Sequence, residues 1–136
     1  MRTYVYTAEA KGGRDGVVRS GVLDLPTKLA GSRKEGITPE ELVASAWAAC
    51  FGTSLIFAAR EFGLDFSEAV VRTRISYEVD HDAGRYELAR AELEAVLPPG
   101  EHPGAEDAMQ LAHGRCPISR VLREGIPQIA LSIAGD

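Results

Sequence analysis

The chain has 136 residues, 45% of them apolar and 26% charged, which is enough for one domain with a real core and excludes disorder, collagen and coiled coil. Fifteen basic residues against twenty acidic ones leave a net charge of −5. No Lys/Arg cluster interrupts that balance, so no nucleic-acid partner and no anionic membrane surface is expected.

A single compact domain over residues 1–136 is expected to expose about 7,000 Å². The opening segment, MRTYVYTAEA, has no apolar run of signal-peptide length. Nor is there an uninterrupted stretch of about 18 apolar residues, so no membrane span is expected. The expected compartment is the cytoplasm, where thiols stay reduced.

Tyr4, Tyr6 and Ala8 alternate with Val5 and Thr7, which predicts a strand. A glycine-rich turn, Gly12-Gly13-Arg14-Asp15-Gly16, follows, and Val17 to Leu25 is expected to close a hairpin. Residues 26–37 read as loop. Thr38-Pro39-Glu40-Glu41 is then a helix start in three respects. Thr38 can cap, Pro39 suits the first helical position, and Glu41 completes a capping box. The helical pattern runs to about Phe62 and stops at Gly63. Val43, Ala46, Trp47, Cys50, Ser54 and Phe57 share one face of it, and the opposite face is also apolar, so a helix buried on most sides is expected.

Val71 to Val79 alternate as a half-buried strand, and Asp82-Ala83-Gly84 marks a turn. Arg85 to Leu97 is rich in helix formers, yet its parity and the preceding turn favour a returning strand. A helix is expected from Pro103 to His113 with Gly114 as its stop. A short helical turn is predicted at Ser119 to Arg123, and a closing strand at Gln128 to Ile133. Together these elements predict an α+β domain of antiparallel strands around a buried helix.

The chain has two cysteines, Cys50 and Cys116, and three histidines, His81, His102 and His113. Two cysteines do not make a disulfide framework. Only His113 is near a cysteine, so the ligand spacings of a zinc site are missing, and neither a metal nor another cofactor is expected. From pattern alone Cys50 reads first as a small buried hydrophobe, and Cys116 before Pro117 as an ordinary loop residue. A structural disulfide closing about 67 residues would contribute roughly 4 kcal/mol in the loop-entropy model, but a reducing compartment opposes it. A reactive thiol buried in an apolar helix needs a cation against it, and Arg14 in its glycine turn is the candidate.

Three segments carry a resemblance: YTAEAKGGRDG, GITPEELVASAWAACF and AHGRCPISRVL. In this order they resemble the OsmC/Ohr family of thiol-dependent organic hydroperoxide reductases. The combination is a Pro-Glu ten residues ahead of Ala-Ala-Cys-Phe, with a later Cys-Pro-x-Ser. The resemblance implies the OsmC-like fold, an intertwined homodimer and sites at its interface. It implies that Cys50 is the peroxidatic cysteine and Cys116 the resolving one. Arg14 matches the arginine that activates the thiolate, and Glu40 the carboxylate that pairs with that arginine.

The implied substrate is an alkyl or fatty-acid hydroperoxide, and the implied reductant is a dithiol, usually a protein-bound dihydrolipoyl group. Trp47, Phe51, Met109 and Ile118 are candidate apolar walls for the substrate, with plain core packing as the competing reading. Two positions depart from the Ohr branch. Ile118 stands where its members usually have Tyr, and Ile37 replaces a common Asn, so Ohr-like and OsmC-like features are mixed. Two other classes compete with the enzyme: a redox sensor or small-ligand binder with slow turnover, and a structural dimer module with inert thiols.

Overall fold

The computed structural model describes residues 1–134. Three short antiparallel strands, β1 (Glu9–Lys11), β2 (Val17–Ser20) and β3 (Leu23–Pro26), form a sheet in chain order. The helix α1 (Pro39–Arg60) follows, then a long antiparallel hairpin of β4 (Val70–Asp80) and β5 (Arg85–Val96). Two helices close the described chain, α2 (Ala105–Arg115) and α3 (Pro117–Glu124).

The expected N-terminal hairpin is a three-stranded meander instead. Gly21 and Val22 turn the chain, so the run from Val17 to Leu25 divides into two strands. Residues 4–8 alternate like a strand but have no ladder partner among the described residues, and regular structure begins only at Glu9. The glycine turn between β1 and β2 is a single 3₁₀ turn, Gly13–Asp15. Gly12 takes φ +80°, and a Cβ on Gly16 would sit 1.8 Å from the Lys11 carbonyl oxygen, so both positions require glycine. Thr27, buried beyond the end of β3, fastens this turn. Its hydroxyl donates to Gly13 O at 2.6 Å and accepts from Gly16 N at 2.9 Å.

α1 begins as its sequence dictates. Thr38 Oγ1 accepts from Glu41 N at 3.1 Å, and Glu41 Oε1 accepts from Thr38 N at 3.1 Å, which completes the capping box. The buried stripe of α1 is Trp47, Phe51, Leu55, Ala58 and Ala59. It packs with Phe66, Ala108, Ala112 and Cys116 into the core. Cys50 borders this stripe, but Phe57, expected on the same face as Cys50 and Trp47, points outward and is 57% exposed. Ser45, Ala46, Ala49 and Thr53 are exposed along the same outer side. Near-continuous apolarity therefore exceeds what one protomer buries. By length and composition α1 is also apolar enough to cross a membrane, which a search for uninterrupted apolar runs misses. In this fold that apolarity packs against β4, α2 and α3.

Arg85–Val96 is a strand despite its helix formers, because it pairs along its length with β4, apart from a register shift at Ser76/Tyr77. Thr73 Oγ1 donates to Ala44 O at 2.8 Å and fixes this ribbon on α1. Gly114 does not end α2. The helix continues to Arg115, and the stop is Cys116, held extended at φ −75°, ψ 114° ahead of Pro117. The predicted closing strand is absent from the described residues. Ile129, Leu131 and Ile133 are 75%, 91% and 98% exposed, with no neighbouring strand in the protomer to pair with.

Thr27→Val would leave Gly13 O and Gly16 N without their partner. The expected loss is about 1–3 kcal/mol in urea unfolding, whereas an unchanged midpoint would show that the turn does not depend on Thr27.

Candidate active site

Because the capping box engages Glu41, the neighbouring carboxylate of Glu40 is free to face another element. That element is the glycine turn. Arg14 Nη1 donates to Glu40 Oε2 at 3.0 Å and Nη2 donates to Oε1, a two-point pair between the small sheet and the first turn of α1. Arg14 Cζ also lies 4.9 Å from the centre of the Tyr77 ring, at the irregularity in β4.

The hydrogen bond from Arg14 holds the Glu40 carboxyl below its ordinary value of 4.5, although burial opposes it. The same bond raises Arg14 further above its ordinary value, so the guanidinium is cationic at any working pH. The side chains are 29% and 12% exposed, which leaves the cation partly open to a ligand or second chain.

The second half of the site is the thiol pair. Cys50, half-buried on α1, and Cys116, fully buried between α2 and α3, have their sulfurs 3.3 Å apart. Both are free thiols across 66 positions of sequence. Cys116 ends α2 and caps α3, its Sγ accepting from Ser119 N at 3.4 Å. Ser119 is itself anchored, because Trp47 Nε1 donates to its Oγ at 2.8 Å in the core. One hydrogen-bonded line thus runs from α1 through Ser119 to the sulfur of Cys116.

The environments of the two thiols differ. Burial pushes Cys50 up from its ordinary 9.0, and its hydrogen bond with Cys116 adds to the rise. Burial also opposes ionisation of Cys116. The Ser119 amide and hydroxyl, Cys50 and the Ile118 amide outweigh it and hold Cys116 below 9.0. The groups that act on Cys50 beside burial are Cys116, which raises it, and the Ile118 amide, which lowers it. Arg14 and Glu40 thus meet each other, and among the described residues neither hydrogen-bonds to a thiol; positions 40 and 50 are roughly 15 Å apart in helix rise.

Of the four candidate wall residues, Trp47, Phe51 and Met109 line one depression of about 240 Å³, with Leu93 and His113 beside them. Ile118 is not on that lining and packs against the core. Trp47 and Phe51 are themselves buried, at 4% and 2% exposure, so they form the depression's floor. Sequence reasoning missed Thr27, Tyr77 and Ser119. Thr27 and Tyr77 act only through tertiary contacts, while Ser119 had a legible signal, three positions after a cysteine that precedes proline. Among the described residues no group of His, Cys, Asp and Glu could hold a metal ion.

Comparison with known proteins gives a consistent result. The family model described as OsmC-like protein matches residues 31–130. The organic hydroperoxide resistance protein OhrB of Bacillus subtilis is 29% identical over 131 residues, which cover 93% of this chain and 95% of that one. Peroxiredoxin OsmC of Escherichia coli is 30% identical over 113 residues, covering 82% and 76%. The crystal structure of Bacillus subtilis OhrB superposes with a TM-score of 0.77 at 27% identity, over 89% of this chain and 92% of the other.

Glu40 has a depressed pKa in the fold, so its pairing stabilises the protein above the unfolded value near 4.5 and is lost as pH falls below it. Glu40→Gln should flatten the loss of stability between about pH 5 and 3, measured by urea unfolding at stepped pH. An identical acid profile in the variant would remove the pair from the stability balance.

Proposed function

Because this chain belongs to the OsmC-like family, we propose that it is a cysteine-based peroxidase that reduces organic hydroperoxides to alcohols. The observation that carries the reading is the free thiol pair at 3.3 Å, one member half-open and the other buried. In the proposed cycle the Cys50 thiolate attacks a peroxide oxygen. The S–O bond forms as the O–O bond breaks, and the departing alkoxide takes a proton to leave as alcohol. Cys50 is then a sulfenic acid. Cys116 attacks its sulfur, water leaves, and a disulfide forms. An external dithiol, of which a protein-bound dihydrolipoyl group is the implied form, returns both thiols by exchange.

The step that needs most help is ionisation of Cys50, since burial and Cys116 raise it. The cation for this work is Arg14, preset in a planar fork by Glu40. It would favour the thiolate and stabilise the oxygen that leaves. The separation along α1 supports a second copy as its source. The protomer exposes 10,470 Å², well above the roughly 7,000 Å² of a compact chain of this mass. The excess includes the outer side of α1 around Phe57 and the alternating Ile129, Leu131 and Ile133. A homodimer that buries the outer side of α1 would cover part of this surface and could supply the partner's Arg14 to Cys50.

The depression floored by Trp47 and Phe51 suits an alkyl chain. The competing reading is a redox sensor that forms the disulfide once and turns over slowly; the raised Cys50 of the isolated protomer favours it. Steady-state turnover with dihydrolipoamide separates the two. Sustained consumption of cumene hydroperoxide supports the enzyme, and a single equivalent supports the sensor.

Cys50→Ser should abolish hydroperoxide consumption. Cys116→Ser should consume one equivalent and leave a sulfenic acid that dimedone traps at Cys50, seen by mass spectrometry. Full steady-state activity of Cys116→Ser with the same dithiol would remove Cys116 from the resolving role. Arg14→Ala should slow the first step on the order of a hundredfold in stopped flow, with incomplete rescue by Arg14→Lys, which lacks the fork.

A further inference from the structure

Resting on the disulfide cycle above, we propose a fixed direction for its last half: the external thiol attacks the sulfur of Cys50, and Cys116 is the sulfur that leaves. Two independent features of the site point the same way. Access is one-sided. Cys116 is 0% exposed behind α2 and α3, whereas Cys50 keeps an open side on α1. An incoming thiolate must line up behind the bond it breaks, so only the Cys50 sulfur offers an approach from solvent.

Leaving-group chemistry is one-sided too. Thiol exchange is faster when the departing sulfur is the better-stabilised thiolate. Cys116 departs into a prepared position at the start of α3, where its sulfur faces the Ser119 amide at 3.4 Å. The Trp47–Ser119 bond keeps that amide in place, which makes Ser119 a positioning residue for the leaving sulfur. Cys50 sits mid-helix on α1, where the amides of its own helix are engaged, and burial disfavours its thiolate more than the Ile118 amide favours it.

The balance of the step is as follows. The thiolate of the dithiol forms a bond to Cys50 Sγ, and the Cys50–Cys116 bond breaks with its electron pair on Cys116 Sγ. The second thiol of the reductant, its proton lost to solvent, then attacks its own sulfur in the mixed disulfide. The reductant leaves as a cyclic disulfide, oxidised by two electrons, and Cys50 is released as thiolate. The intermediate is therefore always a mixed disulfide on Cys50.

The test uses protein oxidised in two ways, by cumene hydroperoxide and by diamide. Oxidised protein is mixed with excess 2-mercaptoethanol and quenched in acid and denaturant over milliseconds to seconds. Free thiols are then blocked with N-ethylmaleimide, and peptides are mapped by mass spectrometry. The expected result is that every mixed disulfide found carries mercaptoethanol on Cys50 and the block on Cys116, until a second mercaptoethanol leaves both cysteines blocked. Mercaptoethanol on Cys116, or an even division between the two, overturns the proposal.

A second arm loads thionitrobenzoate on the single remaining cysteine of Cys116→Ser and of Cys50→Ser. Dihydrolipoamide should release the yellow thiolate from Cys50 faster than from Cys116 by on the order of tenfold or more. Equal rates overturn the access argument. A disulfide that forms with diamide but not with the hydroperoxide refutes the peroxidase reading and leaves the direction of exchange still measurable.

Discussion

The two-point pair between Arg14 and Glu40 is the contact on which the arrangement turns, because the small sheet packs extensively against no other element of the protomer. Its parts are local necessities that converge. The glycine turn must be tight for Arg14 to project from it, and Thr27 locks that turn. The capping box must take Glu41 so that Glu40 remains free. The ring of Tyr77 then backs the guanidinium from the long hairpin. A lysine would fill the charge but not the geometry, since only the planar fork meets both carboxylate oxygens at once.

The thiols follow a different logic. A helix that ends at a cysteine before proline, and another that begins there, place one sulfur where an amide is free to face it. The same junction buries that sulfur and leaves its neighbour on α1 half-open. Placement thus separates two chemically identical residues, with Cys116 held down by its hydrogen bonds and Cys50 pushed up by burial. Under the proposed cycle the first needs no further help to leave, and the second needs a cation from outside its own protomer to attack.

Much of this was legible in the sequence where the signal is local. The capping box at Thr38 and Glu41, the turn at Asp82 to Gly84 and the strand reading of Arg85–Leu97 all rest on near neighbours, and the structure agrees on each. Most of the misses share one physical source, pattern that the isolated protomer does not complete. The alternation at Tyr4 to Ala8 and at Ile129 to Ile133 is real, yet neither segment pairs with a strand among the described residues. Phe57 fits the apolar period of α1 and still faces outward. Gly114 failed for another reason: Pro117, not glycine, sets the end of α2, through the extended backbone it requires at Cys116. Of the site, the two cysteines were legible as neighbours only through resemblance, since nothing in the spacing of 50 and 116 brings them together. Thr27 and Tyr77 were invisible because their roles exist only once distant elements meet, whereas Ser119 stood in plain view three positions after the cysteine that precedes proline.

The central claim is that the guanidinium held by Glu40 acts on a cysteine of the other subunit. Mixed dimers test it most directly, one subunit carrying Cys50→Ser and the other Arg14→Ala, isolated through two different affinity tags. If Arg14 acts across the interface, one of the two sites in each mixed dimer is whole, and the mixed dimer recovers about half of the wild-type rate of hydroperoxide reduction. If Arg14 acts on its own subunit's Cys50, both sites are broken, and a mixed dimer no faster than Arg14→Ala alone would contradict the account.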